Sequence, residues 1–152
     1  STKKHFSKKN KATKIFQALR IIVNSEISEL IKGLSKSCNL ISENGIILTV
    51  TFHSIEDKIC KFFFNNISNP TKLSRYLPIN SFQDTSFNKI NKKPIVPTSQ
   101  EVETNPPSRS AKLRAVKRKK TNWVETNFIY EKFRHLLEIE KIASKLWKFI
   151  LM

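Results

Sequence analysis

His53 and Ser54 are the residues best placed for chemistry, because they directly follow the apolar run 46–52. That run is rich in β-branched residues and lacks a polar alternation, which predicts a strand buried on both faces, as in a parallel sheet covered by helices. Ser54 is predicted to cap the next helix by accepting the amide of Asp57. Ligands of open α/β sheets bind at the carboxyl ends of strands, so His53 and Ser54 are candidate catalytic, substrate-positioning residues. The alternative is that His53 only caps the strand end through a backbone hydrogen bond.

A second candidate site lies in residues 105–120, within a stretch that has no acid between Glu103 and Glu125. Two consecutive prolines stiffen a loop at its start, and the apolar and basic residues that follow alternate as in an edge strand with one basic face. A charge run alone is usually a solvated face, but the stiff loop and the basic amino terminus favour contact with RNA phosphates. The candidate RNA contacts in this stretch are Asn105, Arg109, Ser110, Lys112 and Arg114.

Arg20 is a long cation at the edge of a predicted apolar helix stripe, beside Gln17 and Asn24. Its stem could lie on the core while its head reaches water, or these three side chains could form a contact surface for RNA or a neighbouring domain. Residues 1–12 are polar and basic and predict a mobile or partner-ordered arm. Lys11 and Arg20 therefore join the candidate RNA contacts.

Apolar periodicity predicts the scaffold that must position these residues. Spacings of three and four predict one long helix over 14–41, which ends in a turn at Asn44-Gly45. A short helix is predicted over 55–64, and because its three consecutive phenylalanines cannot all lie on one buried face, they are expected to meet another segment. Residues 65–91 lose the periodicity and predict a long surface loop, followed by a short extended piece and by a single helical turn through Glu103 that the capping-box pattern of residues 98–101 indicates. The tail 127–152 has the pattern of an amphipathic helix whose apolar side needs a partner surface.

The composition bounds the class of protein. The chain has 152 residues, 39% of them hydrophobic, which suits one globular domain with tails. Its formal net charge of +16 makes nucleic acid the leading class of partner and a membrane surface the second. No run approaches the ~20 apolar residues of a membrane-spanning helix and no signal-peptide pattern opens the chain, so a cytoplasmic location is expected. Cys38 and Cys60 lack metal-ligand spacing and are expected to be reduced core thiols, and no metal site is predicted.

Three stretches, taken in order, resemble the ribosomal RNA small subunit methyltransferase H family: residues 11–21 (KATKIFQALRI), 52–59 (FHSIEDKI) and 105–114 (NPPSRSAKLR). These enzymes use S-adenosylmethionine to methylate the exocyclic nitrogen, N4, of a decoding-centre cytosine in the small-subunit ribosomal RNA. The resemblance covers roughly residues 11–117. It implies an α/β fold class, the carboxyl-terminal portion of a Rossmann-like methyltransferase with a basic carboxyl-terminal tail.

The resemblance also implies what this chain does not contain. In the family the S-adenosylmethionine loop, its acidic ribose partner and the motif beside the methyl group all precede the stretch at 11–21. The only glycines, Gly33 and Gly45, form no glycine-rich loop. S-adenosylmethionine is therefore expected as cofactor of the complete enzyme, and this chain alone is expected to be inactive. The implied division is a basic arm at 1–12, the methyltransferase part at 13–120 and an amphipathic helical tail at 121–152.

Two functions of different classes fit these patterns. The first is part of a ribosomal RNA cytosine methyltransferase that acts together with a missing amino-terminal half on small-subunit ribosomal RNA. The second is a non-catalytic basic RNA-binding module or ribosome-associated protein. A membrane partner is expected in neither case, and the oligomeric state is left open. A glycine-rich strand-loop-helix encoded upstream would favour the first function.

Overall fold

A computed structural model describes residues 11–69, 85–120 and 122–150. Much of the loop predicted over 65–91, and all of the predicted arm before residue 11, lie outside these ranges. The chain is α/β, as predicted, with two compact units. The first, called the helical unit, joins the segment ending at Glu29 with the segment from Arg134, and the second, the sheet unit, runs from Leu30 to Phe133. The elements are α1 Lys11–Val23, α2 Glu26–Leu40, β1 Ile46–Thr51, α3 Ser54–Ser68, β2 Phe87–Lys89, α4 Ser99–Thr104, a 3-10 helix Pro106–Ser110, β3 Lys112–Arg118, α5 Asn127–Lys132 and α6 Arg134–Ile150.

The long helix predicted over 14–41 is wrong, because the chain breaks between α1 and α2. Ser25 adopts a positive φ of 52° at the break, a backbone conformation that no helix interior contains. Phe16 on α1 is 70% exposed, whereas Ile21 is buried. An apolar stripe does not distinguish one continuous helix from two that share its phase, which is why the periodicity predicted a single element.

The helical unit contains α1 packed against α6 and the first turn of α2. The buried carboxylate of Glu140, on α6, accepts hydrogen bonds from the amides of Ile27 and Ser28, each 2.9 Å away, and from the Ser28 hydroxyl. These amides are among the unsatisfied donors at the start of α2, so a side chain from the tail caps that helix. The tail forms two helices, α5 and α6, rather than the single one predicted. Phe128 of α5 packs against phenylalanines of α3, whereas Ile139 and Ile142 of α6 are more than half exposed.

The sheet unit is built on three antiparallel strands in the order β1-β3-β2. The predicted parallel sheet is therefore not formed by the described strands. β1 is also not buried on both faces, because only Ile47 and Thr51 are buried while Ile46, Leu48 and Val50 are about half exposed. The prediction that the basic strand lies at an edge of the sheet is also wrong, because β3 is the central strand and pairs on both sides.

Helix α3 covers one face of this sheet and continues to Ser68, four residues past the predicted end. Its buried residues pack against the buried side chains of β2 and β3, and Phe62 and Phe63 contact Phe128 at the start of α5. The phenylalanine triplet therefore meets a second segment, as predicted. The core of the unit also contains Cys38 and Cys60, whose burial raises their pKa values to about 12 and about 11. Both thiols are free, in agreement with the prediction of reduced core thiols.

Arg118, at the end of β3, is a buried cation that the sequence did not reveal. Its guanidinium donates to the carbonyls of Cys38 and Ile41 at the end of α2 and to that of Lys120, and it lies 5.6 Å from the centroid of the Phe87 ring. The side chain therefore satisfies helix-end carbonyls that would otherwise be buried without donors.

Gly45 lies where the chain turns from α2 into β1. A Cβ at this position would collide with the Ile41 side chain and approach the Ser42 carbonyl oxygen to 2.9 Å. Crowding by the Ile41 side chain and the Ser42 carbonyl explains the glycine, in agreement with the predicted turn. None of the described helices is both long and apolar enough to cross a bilayer.

Candidate nucleic-acid interface

The junction of β1 and α3 is built by His53. The residue is the N-cap of α3, and its Nδ1 accepts the Glu56 amide at 3.4 Å. The Glu56 carboxylate in turn accepts the amides of Phe52 and His53 at 3.0 and 3.3 Å, which completes a capping box. The prediction that Ser54 is the cap is wrong, because Ser54 is already the first helical residue. The sequence contained the signal, since Glu56 stands three residues after His53.

His53 Nε2 lies 3.2 Å from the second oxygen of Glu56, and the side chain is only 8% exposed. One ring nitrogen thus accepts the backbone amide of Glu56, and the other lies close to the carboxylate of the same residue. This arrangement gives His53 a clear structural role in starting α3. Ser54 is exposed and lies at the same end of the sheet, next to the end of β1.

Asp57, in the first turn of α3, brings together two predicted RNA contacts. Its carboxylate lies 3.0 Å from Lys112 Nζ and 2.8 Å from Arg114 Nε, both on β3. Partial burial alone would raise the pKa of Asp57, but hydrogen bonds and charge from Arg114 and Lys112 hold it below its usual value. The carboxylate is therefore ionised at neutral pH and offsets part of the positive charge predicted for this strand.

The loop before β3 carries the remaining predicted contacts of this region. Thr98 caps α4 by accepting the Glu101 amide at 3.2 Å, which is one of the two hydrogen bonds of the predicted capping box. The two prolines then open the 3-10 helix. Asn105, Arg109 and Ser110 are all exposed on this short helical loop, beside the strand that carries Lys112.

Arg20 and Lys11 belong to the helical unit. Arg20 pairs with Glu26. Its Nε donates to Oε1 of the carboxylate at 2.8 Å, and its Nη2 donates to Oε2 at 3.2 Å. The pair remains largely exposed on the arginine side, so the cation is still accessible to solvent. Lys11 begins α1, and its side chain lies outside the described part of the chain.

A basic cleft between α3, β2 and β3 was missed by the sequence reasoning. It is lined by lysines and asparagines from three separate segments, Lys61, Asn65, Lys89, Asn91, Lys92 and Arg114, over Phe64 and Ala115. No local motif could have joined lysines 28 residues apart. Only the pairing of the short strand β2 with β3 brings them to one surface.

Comparison with known proteins identifies the family of this chain. Residues 1–119 match the model of the MraW methylase family. The chain belongs to that family. Relatives called ribosomal RNA small subunit methyltransferase H come from Wolbachia of Brugia malayi, with 44% identity over 74% of this chain and 31% of the relative. A relative from Borreliella afzelii is 47% identical over 72% of this chain and 32% of the relative. A relative from Allorhizobium ampelinum is 37% identical over 88% of this chain and 39% of the relative. The chain thus spans about a third of the length of these relatives.

MraW family membership confirms the resemblance carried by the three sequence stretches. Two of them meet in the structure, because residues 52–59 supply His53 and Asp57 while residues 105–114 supply Lys112 and Arg114. The third stretch forms α1 in the helical unit. Residues that are distant in sequence therefore converge on one end of the sheet, where a charged cluster joins the start of α3 to β3.

MraW methylases, as methyltransferases, imply S-adenosylmethionine as methyl donor. The residues that the structure describes do not by themselves fit that group. Gly33 lies inside α2, and Gly45 serves the turn into β1, where its missing Cβ is filled by Ile41. Neither glycine opens a loop between a strand and a helix that could cradle the donor.

Proposed function

We propose that this chain is the carboxyl-terminal portion of an S-adenosylmethionine-dependent enzyme that methylates N4 of a cytosine in the decoding centre of small-subunit ribosomal RNA. The observation that carries the proposal is the match to relatives named ribosomal RNA small subunit methyltransferase H, at 44% and 47% identity. The net charge of +16 supports an RNA substrate, because phosphate attraction supplies most of the affinity of such proteins.

The exposed side of the sheet supports a missing amino-terminal half as partner. Ile46, Leu48 and Val50 project from one face of β1 and are 50%, 59% and 53% exposed. Among the described strands β1 pairs only with β3, so its other edge offers unpaired backbone groups. An apolar strand with an open edge and an uncovered face is unfavourable in water and needs a covering partner. The remainder of a methyltransferase would extend the sheet and cover this face.

Within that enzyme, we assign His53 and Ser54 to the edge of the site that faces the target base. His53 holds the start of α3, and Ser54 is exposed beside it. Transfer to an exocyclic amine needs positioning of the base and a route for the released proton, so these residues would orient rather than attack. Asn105, Arg109, Ser110, Lys112 and Arg114 would contact the RNA backbone, with Lys11 and Arg20 as further contacts from the helical unit.

The experiment replaces the matching segment of the Borreliella afzelii relative with this chain and measures transfer of labelled methyl groups to small ribosomal subunits. The chimaera should transfer label, while the chain alone and the relative's remaining segment alone should transfer none. A folded chimaera that leaves the subunits unlabelled would overturn the proposal.

A second candidate is a non-catalytic RNA-binding module, favoured by one observation. The two glycines of the chain form no glycine-rich loop for the methyl donor, whereas lysines and an arginine line a cleft on the described part of the sheet unit. An inactive chimaera together with tight, salt-sensitive RNA binding by the isolated chain would support this function instead.

A further inference from the structure

The basic cleft of the sheet unit has a composition suited to anions. Four cations line it, Lys61 from α3, Lys89 from β2, Lys92 from the following turn and Arg114 from β3. None of the described residues that line the cleft is acidic. Asp57 contacts Arg114 through its Nε atom but is not among the lining residues. The lysines of the cleft therefore have little local compensation for their charge.

Lys89 shows most clearly that the charge of the cleft has little local compensation. It is half-buried, and its Nζ lies 3.5 Å from Asn69 Oδ1, a neutral acceptor at the outer limit of hydrogen bonding. Burial and the nearby charge of Arg114 lower the pKa of Lys89 below its ordinary value. A bound anion would reverse both effects, because it would replace lost hydration and offset the neighbouring cation.

The rim of the cleft is held in place by backbone contacts. Asn91 Oδ1 accepts the amide of Ala115 at 3.2 Å, and its Nδ2 donates to the Lys93 carbonyl at 2.7 Å. This side chain ties the turn after β2 to the central strand and keeps Lys92 beside Lys89. Phe64 and Ala115 form an apolar floor that is buried. The cations are thus presented by a fixed scaffold of strand and helix.

We propose that this cleft binds consecutive phosphate groups of an RNA strand, through Lys61, Lys89 and Lys92. The choice of RNA rests on the proposed function, whereas the choice of phosphate rests on the charge and scaffold of the cleft. The cleft adjoins the Asp57 cluster through Arg114, which lines the cleft and is already paired with that carboxylate. The proposed contacts to the RNA backbone come from α3, from β2 and from the turn that follows β2.

The test measures RNA binding by the full chain as a function of salt, with a labelled single-stranded segment of small-subunit ribosomal RNA. The variant combines Lys61→Ala, Lys89→Ala and Lys92→Ala, and the charge-matched control combines Lys36→Ala, Lys141→Ala and Lys145→Ala at exposed positions. Loss of three single-strand phosphate contacts should reduce the slope of log affinity against log salt by about 2, at ~0.7 per contact. The control should change the slope by less than half as much.

Equal slopes for variant and control would show that the cleft does not bind RNA phosphates, even though the unaltered chain binds RNA. Absence of RNA binding by the unaltered chain would count against the proposed function as well. If the triple variant fails to fold, the double variant Lys61→Ala with Lys92→Ala, at two exposed positions, should still reduce the slope by about 1.4.

Amide chemical shifts separate RNA from free phosphate as the ligand. RNA should shift the amide signals of Asn65, Asn91 and Ala115 at concentrations where inorganic phosphate leaves them unchanged. Shifts produced by inorganic phosphate and not by RNA would contradict the proposal.

Discussion

His53 combines a structural role, which the hydrogen bonds make plain, with a proposed role beside the target base. Replacing an N-cap residue with alanine costs about 1 kcal/mol, which corresponds to a melting temperature lower by roughly 2–4 °C for a chain of this size. We therefore expect His53→Ala to lower the melting temperature, and His53→Asn to preserve it because asparagine is a strong N-cap. Thermal unfolding followed by circular dichroism measures both.

The asparagine variant also separates stability from catalysis. In the active chimaera, His53→Asn should slow single-turnover methyl transfer by about 10–100-fold if His53 orients the base. An unchanged rate at an unchanged melting temperature would leave His53 with its capping role alone.

Asp57 should make the stability of the sheet unit depend on pH. Its pKa in the folded chain lies below the unfolded value of about 3.9, so its stabilising contribution is complete above that value and is lost as the pH falls through the folded pKa. Asp57→Asn should reduce the free energy of unfolding at pH 7 by about 1.5 kcal/mol, the lower end for charged hydrogen bonds because Lys112 is 40% exposed.

Urea unfolding of wild type and Asp57→Asn over pH 7 to pH 2 measures this difference. It should shrink as the solution is acidified below about pH 4. Glu103→Gln, at an exposed position on α4, is the control and should leave the unfolding free energy unchanged at pH 7. A difference between wild type and Asp57→Asn that stays constant down to pH 2 would exclude the ion pairs as its source.

At the scale of elements, local signals predicted well and contacts between distant segments did not. The N-cap at Thr98 and the turn at Gly45 depend on residues within four positions of one another, and both are present in the structure. The break at Ser25 and the central position of β3 were missed. The helix that starts after the break is capped by Glu140, which is more than a hundred residues away. The central position of β3 depends on its pairing with β2, a strand of only three residues.

Glu140 gives this long-range dependence a test. Glu140→Ala removes the acceptor for two amides of α2, so hydrogen exchange at Ile27 and Ser28 should accelerate, and stability should fall by about 1–2 kcal/mol. Glu138→Ala, two residues earlier and exposed, is the matched control and should leave that exchange unchanged. Unaltered exchange in Glu140→Ala would show that α6 does not cap α2 in solution.

At the scale of the whole molecule, the three stretches at 11–21, 52–59 and 105–114 predicted family membership, and the family model confirms it. The site was predictable only in part. The Asp57 cluster unites two of these stretches, but its carboxylate partner and the basic cleft follow from antiparallel pairing of β3 with its neighbours. The apolar run of β1 suggested burial on both faces, yet in this chain one face of β1 is half exposed. An apolar strand sequence indicates that the strand needs to be buried, but the surface that covers it can belong to another segment.

Under the proposed function, this chain completes an enzyme that acts on a cytosine amine of small-subunit ribosomal RNA. The most direct measurement is nucleoside mass spectrometry of small-subunit RNA treated with the chimaera, using subunits that lack the modification. The proposal predicts N4-methylcytidine in a single decoding-centre fragment, with none formed by the isolated chain. Methylation at another atom, such as carbon 5 of cytosine, or at a base outside the decoding centre, would contradict it.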